Sequence, residues 1–172
     1  MTETDIVPVE RELPPYFAVS LFKFAVLSIC TFGFYDLWWF YVNWCRIRQR
    51  EQSDIWPAWR AILAIIWCYA CLCRIRSTAV SMNVPAVLPA GPLTVAWIVT
   101  ELLYKLPDPW GLLCLLSIVW LLPAQMVANR VNRAAVPDHN PNTSFSGWNW
   151  AAITIGGIIL VLAIIGAFLP PR

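Results

Sequence analysis

Residues 31–50 read Thr31-Phe32-Gly33-Phe34-Tyr35-Asp36-Leu37-Trp38-Trp39-Phe40-Tyr41-Val42-Asn43-Trp44-Cys45-Arg46-Ile47-Arg48-Gln49-Arg50. An aromatic belt runs directly into a basic cluster. Trp and Tyr favour a membrane–water boundary, where the ring lies among apolar chains and the N–H or O–H meets water. Arg46, Arg48 and Arg50 follow at every second position, a pattern suited to anionic headgroups. The block therefore predicts where the chain meets a membrane surface, and on which side. Trp44, Arg46, Arg48, Arg50, Trp56 and Trp59 are the candidate interfacial residues.

Composition supports this reading. Hydrophobic residues make up 59% of the chain and charged residues 13%, far from the balance of a soluble domain. A soluble chain of this size could hardly hide so much apolar surface. The net charge of +2 conceals a pattern, because the positive residues cluster between apolar runs. Such clustering orients membrane proteins and requires no nucleic acid partner. The expected fold is all-α, a polytopic membrane helical bundle of about four to five hydrophobic helical segments, some short, re-entrant or interfacial. The expected partners are the lipid bilayer and either a second copy or another membrane protein. The Cys residues lie in apolar runs or, for Cys45, at the interface, so they are expected as free thiols packed like small apolar side chains.

Residues 1–15 are expected as a mobile tail, 16–169 as a single membrane-embedded domain, and 170–172 as the C-terminal end. No basic region precedes a short apolar core, so the first apolar segment is expected to remain in the mature protein. As one straight helix, residues 16–45 would run about 45 Å, longer than a hydrocarbon core of about 30 Å. Either the helix crosses once with its aromatic half in the interface, or it breaks near Gly33, since glycine is the cheapest residue at a turn. Asp36 favours the break, because a carboxylate stabilises the free N–H groups of a helix start. Lys23 is expected to snorkel toward the near surface.

Segment 57–83 opens with Pro57, a good first helical residue, and carries Arg60 in its first turn. Its charge-free run, Ala61–Cys73, would span only about 20 Å, a length more typical of re-entrant or interfacial helices than of spans. Residues 84–92 hold Pro85, Pro89, Gly91 and Pro92 and read as a breaker. Residues 93–128 read as a helical hairpin with its tip at 107–109, Glu101 in the first arm and Pro123 kinking the second. Gln125, Asn129 and Asn132 fall at i, i+4 and i+7, on one helical face. Residues 134–147 form a polar loop with His139 and with Asn142-Thr143-Ser144, a glycosylation sequon expected on the wrong side of the membrane for use. Trp148–Leu169 is the cleanest span, and Gly156-Gly157 would allow close helix contact.

The charges orient the bundle. If segment 57–83 crosses, basic residues divide poorly between the two sides. If it returns to its starting side, Arg46, Arg48, Arg50, Arg60, Arg74, Arg76, Arg130 and Arg133 lie together, against Lys105 and Arg172. The positive-inside rule favours the second arrangement, with loops 46–56, 77–92 and 134–147 cytoplasmic.

Thr31-Phe32-Gly33-Phe34-Tyr35 followed by Trp39-Phe40-Tyr41-Val42-Asn43-Trp44 resembles the T-x-G-x-Y…W-[FY]-Y-x-x-W opening of uncharacterised bacterial multi-pass inner-membrane proteins, grouped as a domain of unknown function. Trp59-Arg60-Ala61, Leu106-Pro107-Asp108-Pro109, Pro123-Ala124-Gln125 with Asn129 and Asn132, and Phe145-Ser146 extend the resemblance over most of the chain. It implies a bacterial inner-membrane location and carries no activity, substrate or catalytic residue.

The residues offer little for catalysis. A metal site at Cys68, Cys71 and Cys73 needs a fourth ligand, and Cys73 leaves the helical face shared by the other two. His139 is the one natural base and sits in a Pro/Asn-rich loop far from any thiol in sequence. No catalytic, cofactor or metal residue is assigned, and the chain is expected to be non-enzymatic. The better lead is the intramembrane polar set: Lys23, Asp36, Arg60, Glu101, Gln125, Asn129 and Asn132. Ionisable groups in lipid are costly and either pair or line a pathway. Glu101 is expected protonated or paired with Lys23 or Arg60. The expected function is that of a structural or accessory membrane component. One alternative is a transporter- or channel-like protein with a polar pathway through the bundle. The other is a lipid or protein docking module using the basic face.

Overall fold

The computed structural model describes residues 13–168. The expected mobile tail lies outside the described residues up to residue 12, as does the expected C-terminal end at 170–172. Among the described residues every regular element is helical: α1 (Leu21–Cys30), α2 (Phe34–Glu51), α3 (Pro57–Ile62), α4 (Ala64–Ser81), α5 (Ala90–Leu102), α6 (Ile118–Ala135) and α7 (Gly147–Ala167). Short 3-10 segments at Leu103–Lys105 and Trp110–Ser117 complete the α5–α6 connection. Two stretches, Trp110–Ala135 and Gly147–Ala167, are long and apolar enough to cross a membrane.

The first apolar segment breaks at glycine. Phe32 and Gly33 take positive φ angles of 52° and 83°, a region glycine enters without steric cost. The Gly33 N–H closes the end of α1 on the Ser28 carbonyl at 2.9 Å, and α2 turns back. Phe17 N–H reaches Asn43 Oδ1 at 3.1 Å across the hairpin. One expectation needs correction: the helix does not begin at residue 16. Tyr16–Ser20 is non-helical, and the Ser20 side chain caps α1 by accepting from Lys23 N–H at 3.2 Å.

The second segment also folds back. It breaks at Leu63, where φ −94° and ψ 39° leave the helical region. Helix α3 packs along α2, and α4 returns until Arg74 Nε meets Glu51 Oε1 at 3.0 Å, beside the end of α2. Both ends of 57–83 therefore lie at the same end of the bundle.

Helices α5 and α6 form the third hairpin, zipped by Ser117 to Glu101 at 2.7 Å and by Trp120 Nε1 to Thr100 Oγ1 at 2.9 Å. Helix α5 starts at Ala90, so Gly91 and Pro92 belong to its first turn rather than to the preceding breaker. A proline there loses nothing, because first-turn N–H groups have no intrahelical partner. The second arm opens as 3-10 helix before α6 takes over.

Helix α7 opens on a reciprocal capping box between Ser146 and Asn149. It meets α1 at Gly156, where an added Cβ would lie 1.8 Å from the Cys30 carbonyl oxygen; at Gly157 it would meet nothing within 4 Å. Of the two glycines, Gly156 makes the close contact. Gly156 is also the sole buried residue of α7, and Ile158, Ile159, Val161 and Leu162 are all exposed.

The core is aromatic. Trp39, Phe40 and Trp44 are fully buried, with Phe24 stacked on Trp39 at 5.5 Å and Phe40 edge-on to Trp97 at 5.4 Å. The aromatic block is thus half core and half surface. Helical periodicity turns positions 36, 39, 40, 43, 44 and 47 inward, while Phe34 and Trp38 remain exposed.

Candidate functional site

The amides of α6 grip the chain just before α1. Asn132 Oδ1 accepts from Tyr16 N–H at 2.9 Å, and Asn132 Nδ2 donates to the Tyr16 carbonyl at 3.0 Å. Gln125 Nε2 reaches the carbonyls of Phe17 at 3.0 Å and Val19 at 3.2 Å. Asn129 Nδ2 donates to Val19 at 2.8 Å, and its Oδ1 lies 2.7 Å from Gln125 Nε2. Trp39 Nε1 donates to Gln125 Oε1. Tyr16 and Val19 are fully buried, and a non-helical backbone in such a place needs partners for its N–H and C=O groups. The amide face supplies them for both Tyr16 groups and for the Phe17 and Val19 carbonyls, while Asn43 takes the Phe17 N–H and Asn142 the Ala18 carbonyl. Its main partner is this non-helical segment rather than an open path, with one further bond to Trp39 of α2.

The remaining candidates separate. Lys23 is buried and does not snorkel freely: its Nζ donates to Asn142 Oδ1 and the Ser144 carbonyl, each at 2.7 Å. Arg60 lies over Trp44 at 4.4 Å and Trp67 at 4.2 Å, cation–π contacts with the ring faces. Trp44, expected at the interface, is instead inside the bundle between Arg60 and Arg74. Trp56 and Trp59 are exposed, as are Arg48 and Arg50, while Arg46 is half-buried. Arg50 Nη2 donates to the Tyr16 hydroxyl at 3.0 Å, and the Tyr16 hydroxyl also contacts Thr78 Oγ1 and the Arg74 carbonyl at 2.8 Å. Burial pushes the Tyr16 phenol up, against the opposing pull of Thr78 and Arg50, so it serves here as a neutral hydroxyl.

Glu101 has neither of its expected basic partners. Lys23 and Arg60 are engaged elsewhere, and its Oε1 accepts from Ser117. Across a cavity of about 20 Å³ it shares a lining with Asp36, Ser28, Cys114 and Ser117. Asp36 Oδ1 accepts from Ser28, and Asp36 Oδ2 is buried without a partner. An adjoining hollow of about 240 Å³ is also bordered by Asp36 and Glu101, together with Leu37, Ile65 and Trp97.

No protein-family profile matches the chain, and no curated protein or solved structure matches it either.

The site therefore rests on geometry alone. The structure brings Asp36 and Glu101 together, and gathers Gln125, Asn129 and Asn132 around residues 16–19. Sequence reading missed Ser28, Ser117 and Asn43, and read Asn142 only as part of a sequon. For the first three, a hydroxyl or amide inside an apolar run was the available signal, but its partner depends on hairpin register. The thiols of Cys68 and Cys71 are buried, and among the described residues no group of three or more His, Cys, Asp or Glu side chains could hold a metal ion. His139 Nδ1 lies 2.6 Å from the Val136 carbonyl, in its own loop.

Proposed function

We propose that the chain is a multi-pass inner-membrane protein with a structural or accessory role, rather than an enzyme. The observation that carries this reading is the amide clasp: Gln125, Asn129 and Asn132 spend their hydrogen bonds on residues 16–19 of the same chain, on Trp39 and on one another. A pathway would need such groups free to meet a solute. Lys23 likewise ends on partners within the fold, and Arg60 stacks on Trp44 and Trp67, with its Nη1 buried and without a hydrogen-bond partner. The exposed apolar side chains of α7 and of Trp110–Ala135 support a lipid surround, since a soluble helix does not present apolar residues on all faces.

In this reading α5–α6 and α7 span the membrane, while α1–α2 and α3–α4 enter and return. Arg50, Arg74 and Arg130 then sit at one end of the bundle, tied to Tyr16, Glu51 and the Pro85 carbonyl, and that end is cytoplasmic. The bacterial inner membrane follows from the resemblance of the opening motif.

The experiment is flux in proteoliposomes beside thermal stability in detergent. The structural reading expects no solute flux above protein-free vesicles, and a lower melting temperature for Asn129→Ala. Robust flux in the parent, abolished by Asn129→Ala with stability intact, overturns it. A transporter-like role is the second reading, favoured by the shared lining of Asp36 and Glu101.

A further inference from the structure

We propose that the cavity between Asp36 and Glu101 is a cation site that takes one Na⁺ ion. Ser28 spends its hydroxyl proton on Asp36, and Ser117 spends its own on Glu101. What remains for the cavity is oxygen lone pairs: those of the two hydroxyls and those of the carboxylates. Asp36 is 3% exposed, and its Oδ2 is buried with no hydrogen-bond partner. A buried carboxylate oxygen without a partner is expensive. The other polar neighbour at the lining, the Cys114 thiol, is only a weak donor. An acceptor-only cavity is matched by a cation.

Size and charge choose among cations. A cavity of about 20 Å³ holds a single water-sized occupant. Mg²⁺ keeps several of its waters, for which there is no room, and Ca²⁺ takes six to eight oxygens, so it would need every side-chain oxygen of Ser28, Asp36, Glu101 and Ser117, although one on each carboxylate already accepts a hydrogen bond. A single Na⁺ fits the space and the hard oxygen donors. The negative charge left over faces the N-terminus of α2, where Asp36 stands in the first turn and the helix dipole is positive. The end of α1 contributes the negative pole of its own dipole beside it. This is the setting of broken-helix ion sites in membranes, with helix ends meeting at an ion inside the bilayer.

Depth agrees. Helix α7 is about 30 Å long at 1.5 Å per residue. Gly156, near its midpoint, abuts Cys30 at the end of α1. With α7 as a span, the turn at residues 31–33 and the neighbouring cavity lie near half depth. The adjoining hollow of about 240 Å³, which touches both carboxylates, gives the ion a way in. Occupancy does not require transport, so the site goes beyond the structural reading and does not depend on it.

The test is thermal unfolding of the purified full chain in NaCl, KCl and choline chloride at equal ionic strength. The expected result is a saturable rise in melting temperature with Na⁺, little with K⁺ and none with choline. Glu101→Gln should abolish the Na⁺ response. Ser117→Ala, a milder change that keeps both carboxylates, should weaken the apparent Na⁺ affinity about ten- to hundredfold. Equal melting temperatures in the three salts overturn the proposal. So does a Na⁺ response that survives undiminished in Ser117→Ala, or a response to pH alone with no discrimination among the salts, which would make the pair a proton site. If Glu101→Gln does not fold, the parent salt series and Ser117→Ala still decide.

Discussion

Asn132 holds Tyr16 by both backbone atoms: its Oδ1 accepts from the Tyr16 N–H at 2.9 Å, and its Nδ2 donates to the Tyr16 carbonyl at 3.0 Å. The side chain imitates a strand neighbour inside an all-helical core. This lets a non-helical segment run buried between α6 and α2 with both Tyr16 backbone groups paired. Removing the amide leaves both groups unmet. Asn132→Ala should therefore destabilise by about 2–4 kcal/mol, the cost of unsatisfied buried groups plus the lost bonds. Tyr16→Phe, which spares the backbone pair and removes only the hydroxyl contacts to Arg74, Thr78 and Arg50, should cost less, about 1–2 kcal/mol. Denaturant or thermal unfolding in detergent gives both values. A negligible effect of Asn132→Ala would show that the segment is held by something else.

The two adjacent glycines of α7 should behave oppositely. A Cβ at Gly156 would sit 1.8 Å from the Cys30 carbonyl oxygen, whereas at Gly157 it meets nothing within 4 Å. Gly156→Ala should push α7 off α1 and lower the melting temperature sharply. Gly157→Ala should be neutral or stabilise slightly, because alanine favours the helix by up to about 1 kcal/mol. Side-by-side melting curves of the two variants check this, and equal behaviour would contradict the close approach.

Lys23 ties the 142–144 loop to α1 through two bonds of 2.7 Å. Lys23→Met removes both, and a charged hydrogen bond of this kind is worth about 1.5–3 kcal/mol. The variant should release the loop, read as faster proteolytic cleavage within residues 136–146. Cleavage at the parental rate would argue that Asn142, which also donates to the Ala18 carbonyl at 3.0 Å, suffices alone.

The sequence made some of this legible. Gly33 with Asp36 three residues on pointed to the break in the first segment, and the structure breaks there. The spacing of Gln125, Asn129 and Asn132 placed them on one face. Periodicity describes a face but not what it meets, and the unmet backbone of residues 16–19 has no sequence signature of its own. The break at Leu63 carries neither Gly nor Pro, so nothing local announced it. The Glu101–Ser117 bond spans sixteen positions, and its register is set by the geometry of the α5–α6 tip. Trp44 looked interfacial because aromatic residues near arginines often are. Here the arginines stack on its buried ring instead.

In the proposed topology α1–α2 and α3–α4 enter the membrane and return to the basic side, while α5–α6 reaches the other. Single-cysteine labelling of intact cells with an impermeant thiol reagent tests it most directly, using Gln52→Cys, Met82→Cys, Asp108→Cys and Asn140→Cys in a chain whose six native cysteines are replaced. Asp108→Cys should be labelled from outside, and the other three only after the membrane is permeabilised. External labelling at positions 82 and 140 with protection at 52 and 108 would mean that segment 57–83 crosses, and labelling at 52, 82 and 140 with protection at 108 would invert the whole arrangement.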